Sequence, residues 1–176
     1  ASMPAQLGYG AACKIINLLM VPYNAIGTAI LAFVGQNLGA GDHKRIKQGV
    51  WAAFWIGMVC YAVTTIIGLL LTIHGAYQYL FLSPEKINER SIEFGNIYLY
   101  AAVPSLILLM ILILFRNVLQ GLEKPLFPFL SGVGELAARV LVCSFVPALM
   151  NGGPITTEAT PLSFLGAALG DPIAWI

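Results

Sequence analysis

Residues 50 to 73, "VWAAFWIGMVCYAVTTIIGLLLTI", run for 24 positions without a charged side chain. At about 1.5 Å of rise per residue such a run outreaches the roughly 30 Å of bilayer hydrocarbon. Two more stretches are equally uncharged, "IINLLMVPYNAIGTAILAFV" (15 to 34) and "FGNIYLYAAVPSLILLMILILF" (94 to 115). A fourth, "LFPFLSGVGELAARVLVCSFVPALM" (126 to 150), is as long but carries Glu135 and Arg139. "LSFLGAALGDPIAWI" (162 to 176) reads as a fifth span that ends early. Only 10% of residues are charged, against about 25% in a soluble domain. Lipid must therefore solvate much of the surface.

The apolar runs are continuous rather than alternating, which favours helices over barrel strands. The expected fold is an all-α polytopic transmembrane bundle of about five spans, near 11–36, 47–74, 94–120, 125–150 and a truncated 161–176. Pro22, Pro104, Pro128 and Pro147 are expected to kink these helices. The chain starts at Ala1 without a methionine and stops inside an apolar run, so it reads as a piece of a longer protein.

Charge then orients the spans. The turn after the first carries His43, Lys44, Arg45 and Lys47; the third loop holds Arg116 and Lys124. The fourth, "NGGPITTEATP", has no lysine or arginine. The positive-inside rule places loops one and three in the cytoplasm and the N-terminus outside. "GQNLGAGD" lacks the GxxxxGK[ST] spacing of a phosphate loop. Its Gly39 and Gly41 are expected to end a helix and reverse the chain, with Asp42 capping the next helix.

A net charge of +1 gives no footprint for nucleic acid. Cys13, Cys60 and Cys143 are scattered among apolar neighbours, without the spacing of a disulfide framework or a zinc site. No Ser/His/Asp or Cys/His set is visible. Neither an enzyme nor a metal or cofactor site is expected.

Three motifs carry a resemblance. "FVGQNLGAGDHKRIKQG", "FRNVLQGLEKPLFPFLSGVGELAARV" and "PIAWI" resemble, in order, elements of the multidrug and toxic compound extrusion (MATE) family. The matching positions are Gln36, Asn37, Gly39, Ala40, Gly41, Arg116, Gln120, Gly121, Glu135, Arg139, Pro172 and Trp175. The resemblance implies an incomplete C-terminal six-helix lobe over residues 1–176, whose partner is a missing N-terminal lobe. It also implies a multi-pass protein of the cell membrane, in a bacterium the inner membrane, exporting cationic or amphipathic compounds in exchange for Na⁺ or H⁺. The alternatives are a lipid-linked saccharide flippase and a membrane subunit that transports nothing. In "LEKP", Glu123 stands where the family commonly has glycine.

Among candidate site residues, Glu135 and Arg139 share a helix face by their i,i+4 spacing. Asp171 can reach the same depth from the last span. This intramembrane cluster reads either as a protonatable carrier site or as a static ion pair. Asn17, Tyr23, Asn24, Thr28, Tyr98, Tyr100, Ser105 and Met110, with Met20, are candidates to line a cavity for a flat cation. Tyr98 and Tyr100 also suit an interfacial aromatic belt. Gly57, Gly68, Gly132, Gly134, Gly166 and Gly170 are expected to pack against other helices.

Overall fold

The uncharged runs form helices in the computed structural model, which describes residues 3–83, 85, 87–151 and 161–175. Four are long: α1 (Met3–Gly39), α2 (His43–Thr72), α3 (Glu89–Gly121) and α4 (Leu126–Asn151). All four are long and apolar enough to cross a membrane, and no strand occurs among the described residues. The all-α, multi-span class expected from the sequence is the class observed. In hydrocarbon only a helix satisfies every backbone group within one segment.

The fifth expected span is different. It forms two short helices, α5 (Pro161–Ala168) and α6 (Gly170–Ala174), with a break at Leu169. Pro172 has no N–H to give the Ala168 carbonyl four residues back, which is where α5 ends. Prolines 22, 104 and 147 lie inside helices. Pro128 does not kink anything: it is the third residue of α4, where its missing N–H would have had no intrahelical partner.

The packing inverts the pattern of a soluble helix. Along α2, beyond Ile46 near its start, the buried positions are small or polar: Ala53, Gly57, Thr64, Gly68 and Thr72. Its large apolar residues, Trp55, Val59, Val63, Ile66 and Leu70, face outward. Where lipid supplies no hydrophobic drive, helices associate by close approach of small residues and by interhelical hydrogen bonds. Thr64 bonds the Tyr23 hydroxyl of α1, and the Tyr61 hydroxyl donates to the Pro104 carbonyl of α3 at 3.0 Å.

α3 is the central post and touches every other element. Against α1 it buries Leu99, Ala102, Val103 and Leu106, facing Ala12, Ile15, Ile16 and Leu19. The two backbones meet near Gly121, where an added Cβ would lie 2.9 Å from the Leu31 carbonyl oxygen. The glycines named from sequence divide. A Cβ at Gly57 would lie 2.7 Å from Met110 Sδ, one at Gly68 3.0 Å from Leu19, one at Gly166 3.0 Å from Met150 Sδ and one at Gly170 2.7 Å from Cys143 Sγ. Gly132 and Gly134 meet nothing within 4 Å among the described residues, which therefore do not give them the packing expected.

Two turns share one design. After α1, Asp42 N–H donates to Asn37 O (2.9 Å) and Gly41 N–H to Leu38 O (3.0 Å). After α3, Lys124 N–H donates to Leu119 O (3.0 Å) and Glu123 N–H to Gln120 O (3.0 Å). These paired bonds close both helices as Schellman caps, whose turning residue is left-handed. Gly41 takes φ +71° and Glu123 takes φ +59°. Gly39 is simply the last helical residue of α1. Asp42 starts α2 as expected, its carboxylate accepting the Arg45 N–H at 2.9 Å.

Candidate functional site

The short turn between α3 and α4 makes them an antiparallel hairpin. Arg116 then lies opposite Ser131, and its Nε and Nη2 donate to the serine Oγ at 3.1 and 3.0 Å. One helical turn farther along α4 is Glu135. Its Oε2 lies 2.8 Å from Arg116 Nη2, and its Oε1 accepts from Arg139 Nη2 at 3.0 Å. Both oxygens of Glu135 are therefore taken by guanidinium groups from two helices.

Asp171 of α6 completes the cluster. Its Oδ2 accepts the Tyr98 hydroxyl at 2.8 Å. Its Oδ1 is 3.3 Å from Arg139 Nε, without hydrogen-bond geometry, so that buried Nε has no hydrogen-bond partner among the described residues. We read this contact as a charge attraction and the weakest link of the chain. Tyr98, Asp171, Arg139, Glu135 and Arg116 thus run as one line across α6, α4 and α3. Two positive and two negative charges balance, which is what keeps ionised groups tolerable at span depth.

A cavity of about 390 Å³ opens beside this line. α1 contributes Cys13, Ile16, Asn17 and Met20; α3 contributes Tyr98 and Leu109. Glu135, Arg139, Asp171 and Trp175 form the opposite wall. The volume is within the range of about 300–1,000 Å³ typical of small-molecule sites. Rings surround the Tyr98 end, with Tyr9 edge-on to Tyr98 at 4.9 Å between centroids.

The structure brings Glu135, Arg139 and Asp171 together, and Asn17, Met20 and Tyr98 line the same cavity. It gathers none of the other lining candidates there. Tyr23 is buried in its bond to Thr64. Thr28 donates to the Asn24 carbonyl on an exposed face, and Tyr100 is 56% exposed. Ser105 donates one turn back to the Ala101 carbonyl at 2.8 Å, beside Pro104. Met110 is core, set against Gly57. In the loop motif, Asn37 donates to the Phe33 carbonyl at 2.7 Å, whereas Gln36, Gly39, Ala40 and Gly41 are exposed.

Two members extend the cluster beyond the expected charges. Arg116 is expected in the loop, whereas a tight turn centred near Glu123 folds it back onto Ser131 and Glu135. Tyr98 is expected at a cavity wall or in an aromatic belt, and nothing in its spacing pairs it with Asp171. Among the described residues, no group of three His, Cys, Asp or Glu could hold a metal ion.

No curated protein and no solved structure matches the chain. One family model does match, that of MatE, over residues 8–145. That stretch runs from the start of α1 into α4 and includes Tyr98, Arg116, Glu135 and Arg139. The chain belongs to the MatE family, the multidrug and toxic compound extrusion transporters.

Proposed function

We propose that this chain is part of a secondary antiporter that exports cationic or amphipathic compounds in exchange for Na⁺ or H⁺. The observation that carries the reading is the charged cavity. Its wall presents two carboxylates and one guanidinium, beside the rings of Tyr98 and Trp175 and the thioether of Met20. Aromatic side chains beside carboxylates suit a flat cation. A lipid-linked phosphate would need an excess of positive charge, and both arginines here are already matched by Glu135 and Asp171.

In this reading residues 1–176 supply part of a C-terminal lobe, the basic turn at Lys44, Arg45 and Lys47 faces the cytoplasm, and a second lobe completes the cavity. Alternating access comes from the two lobes rocking about the site. The test is efflux of ethidium, a flat monocation, from proteoliposomes containing the full-length transporter. An inward Na⁺ or pH gradient is expected to accelerate it, and the gradient that does so identifies the coupling ion. Asp171→Asn is expected to slow efflux by about tenfold or more, since it removes one of the wall's negative charges. Efflux indifferent to both gradients sinks the proposal.

A further inference from the structure

We propose that Arg139 is a built-in competitor for the carboxylate that receives a cationic ligand, so that the ligand binds by displacing the arginine from Asp171. The inference rests on the transport reading above. Arg139 lines the cavity, and its side chain is 43% exposed. Its grip on the two acids is unequal. On Glu135 it makes a hydrogen-bonded ion pair at 3.0 Å. On Asp171 it makes only the 3.3 Å contact through an Nε that forms no hydrogen bond.

Letting go of Asp171 therefore gives up a charge attraction but breaks no hydrogen bond of Arg139. Arg139 keeps Glu135 as a counterion, and Glu135 keeps Arg116 on its second oxygen. Asp171 keeps the Tyr98 hydroxyl on Oδ2, and Oδ1 is the oxygen that Arg139 releases. Tyr98 and Trp175 line the same space and supply aromatic surface for a ligand whose positive charge lies in a flat aromatic or guanidinium-like frame. In the empty site the arginine prevents an unpaired carboxylate from being stranded within the span. It also sets a threshold, because a ligand must carry charge to replace it. Neutral amphiphiles gain nothing from Asp171.

Equilibrium binding to the full-length transporter in mild detergent tests this, with ethidium as the cation and phenylnaphthylamine as a neutral probe. Arg139→Ala is expected to bind ethidium roughly ten- to thirtyfold more tightly, because a competing charge leaves a low-dielectric site. Its affinity for phenylnaphthylamine stays within about threefold. Guanidinium at low millimolar concentration, which restores the missing head group, is expected to return the ethidium affinity toward that of the unsubstituted protein; urea, its neutral analogue, is not. A merely structural arginine would show neither the charge selectivity nor the rescue. Should Arg139→Ala lose the neutral probe as well, Arg139→Gln, which can keep one hydrogen bond to Glu135, carries the same expectations. Unchanged or weaker ethidium binding with the neutral probe retained overturns the inference and leaves the transport reading standing. Absence of ethidium binding to the unsubstituted protein overturns both.

Discussion

Glu123 shows how one backbone angle can be more informative than a contact. It adopts φ +59° at the turning position of the cap that closes α3. A residue with a Cβ gives up about 1–2 kcal/mol in that left-handed region relative to glycine, which enters it freely. The equivalent position after α1 holds Gly41, at φ +71°. Glu123→Gly is therefore expected to stabilise the protein by about 1 kcal/mol, and Gly41→Ala to destabilise it by a similar amount. Glu123→Ala, which keeps the Cβ, is expected to give no gain. Thermal midpoints in mild detergent check all three, and a Glu123→Gly midpoint at or below that of the unsubstituted chain contradicts the argument. The substitution of glutamate for glycine was visible in "LEKP" by resemblance alone. Its cost becomes visible only when the paired hydrogen bonds identify the residue that must turn.

At the scale of elements, the decisive contrast is between glycines that admit a neighbour and glycines that merely sit in a helix. Gly121→Ala puts a Cβ 2.9 Å from the Leu31 carbonyl oxygen and 2.8 Å from Val34 Cβ, so α1 and α3 must separate. An overpacked contact of this kind costs about 1–3 kcal/mol. Gly132→Ala meets nothing within 4 Å and is expected to stabilise α4 by up to about 1 kcal/mol through helix propensity. Unfolding midpoints of the two variants should move in opposite directions; a shared fall would refute the distinction. The four long helices were legible because uncharged length is a direct statement about solvent. The break in the last segment was not, since a count of apolar residues ignores what Pro172 does to the Ala168 carbonyl. Nor were the glycine faces. Gly132 and Gly134 are two residues apart, about 200° around a helix, so they could not both face one partner. Pairing Glu135 with Arg139 needed only the helical repeat. Placing Arg116 and Tyr98 in the same line needed the hairpin register and the approach of α6, which are relations between elements.

For the molecule as a whole, the solvent determines which side of each helix is which. α2 turns its small and polar residues inward and leaves Val63 at 50% and Ile66 at 60% exposure. α4 turns Leu136 and Phe145 outward in the same manner. In water these faces would be aggregation patches far above the few hundred Å² that a soluble monomer tolerates. In a bilayer they cost nothing, and the internal ties are instead Tyr23 to Thr64, Tyr61 to Pro104 and the charged line from Tyr98 to Arg116. The sign of a surface substitution is thereby inverted. Val63→Lys would be neutral on a soluble protein, within about 0.5 kcal/mol. Here it lies near the middle of the uncharged run from 50 to 73, and a lysine at span centre costs about 2.5–3.5 kcal/mol on insertion scales. The expected result is a marked fall in membrane-integrated protein, read as the fraction resisting alkaline extraction, while Val63→Leu integrates like the unsubstituted chain. Thr64→Val, one residue away but facing inward, should integrate normally and instead lower the unfolding midpoint, because the Tyr23 hydroxyl loses its partner at a cost of about 1–3 kcal/mol. Integration of Val63→Lys equal to that of Val63→Leu would mean that this face does not meet hydrocarbon, and the assignment of α2 as a span would fall with it.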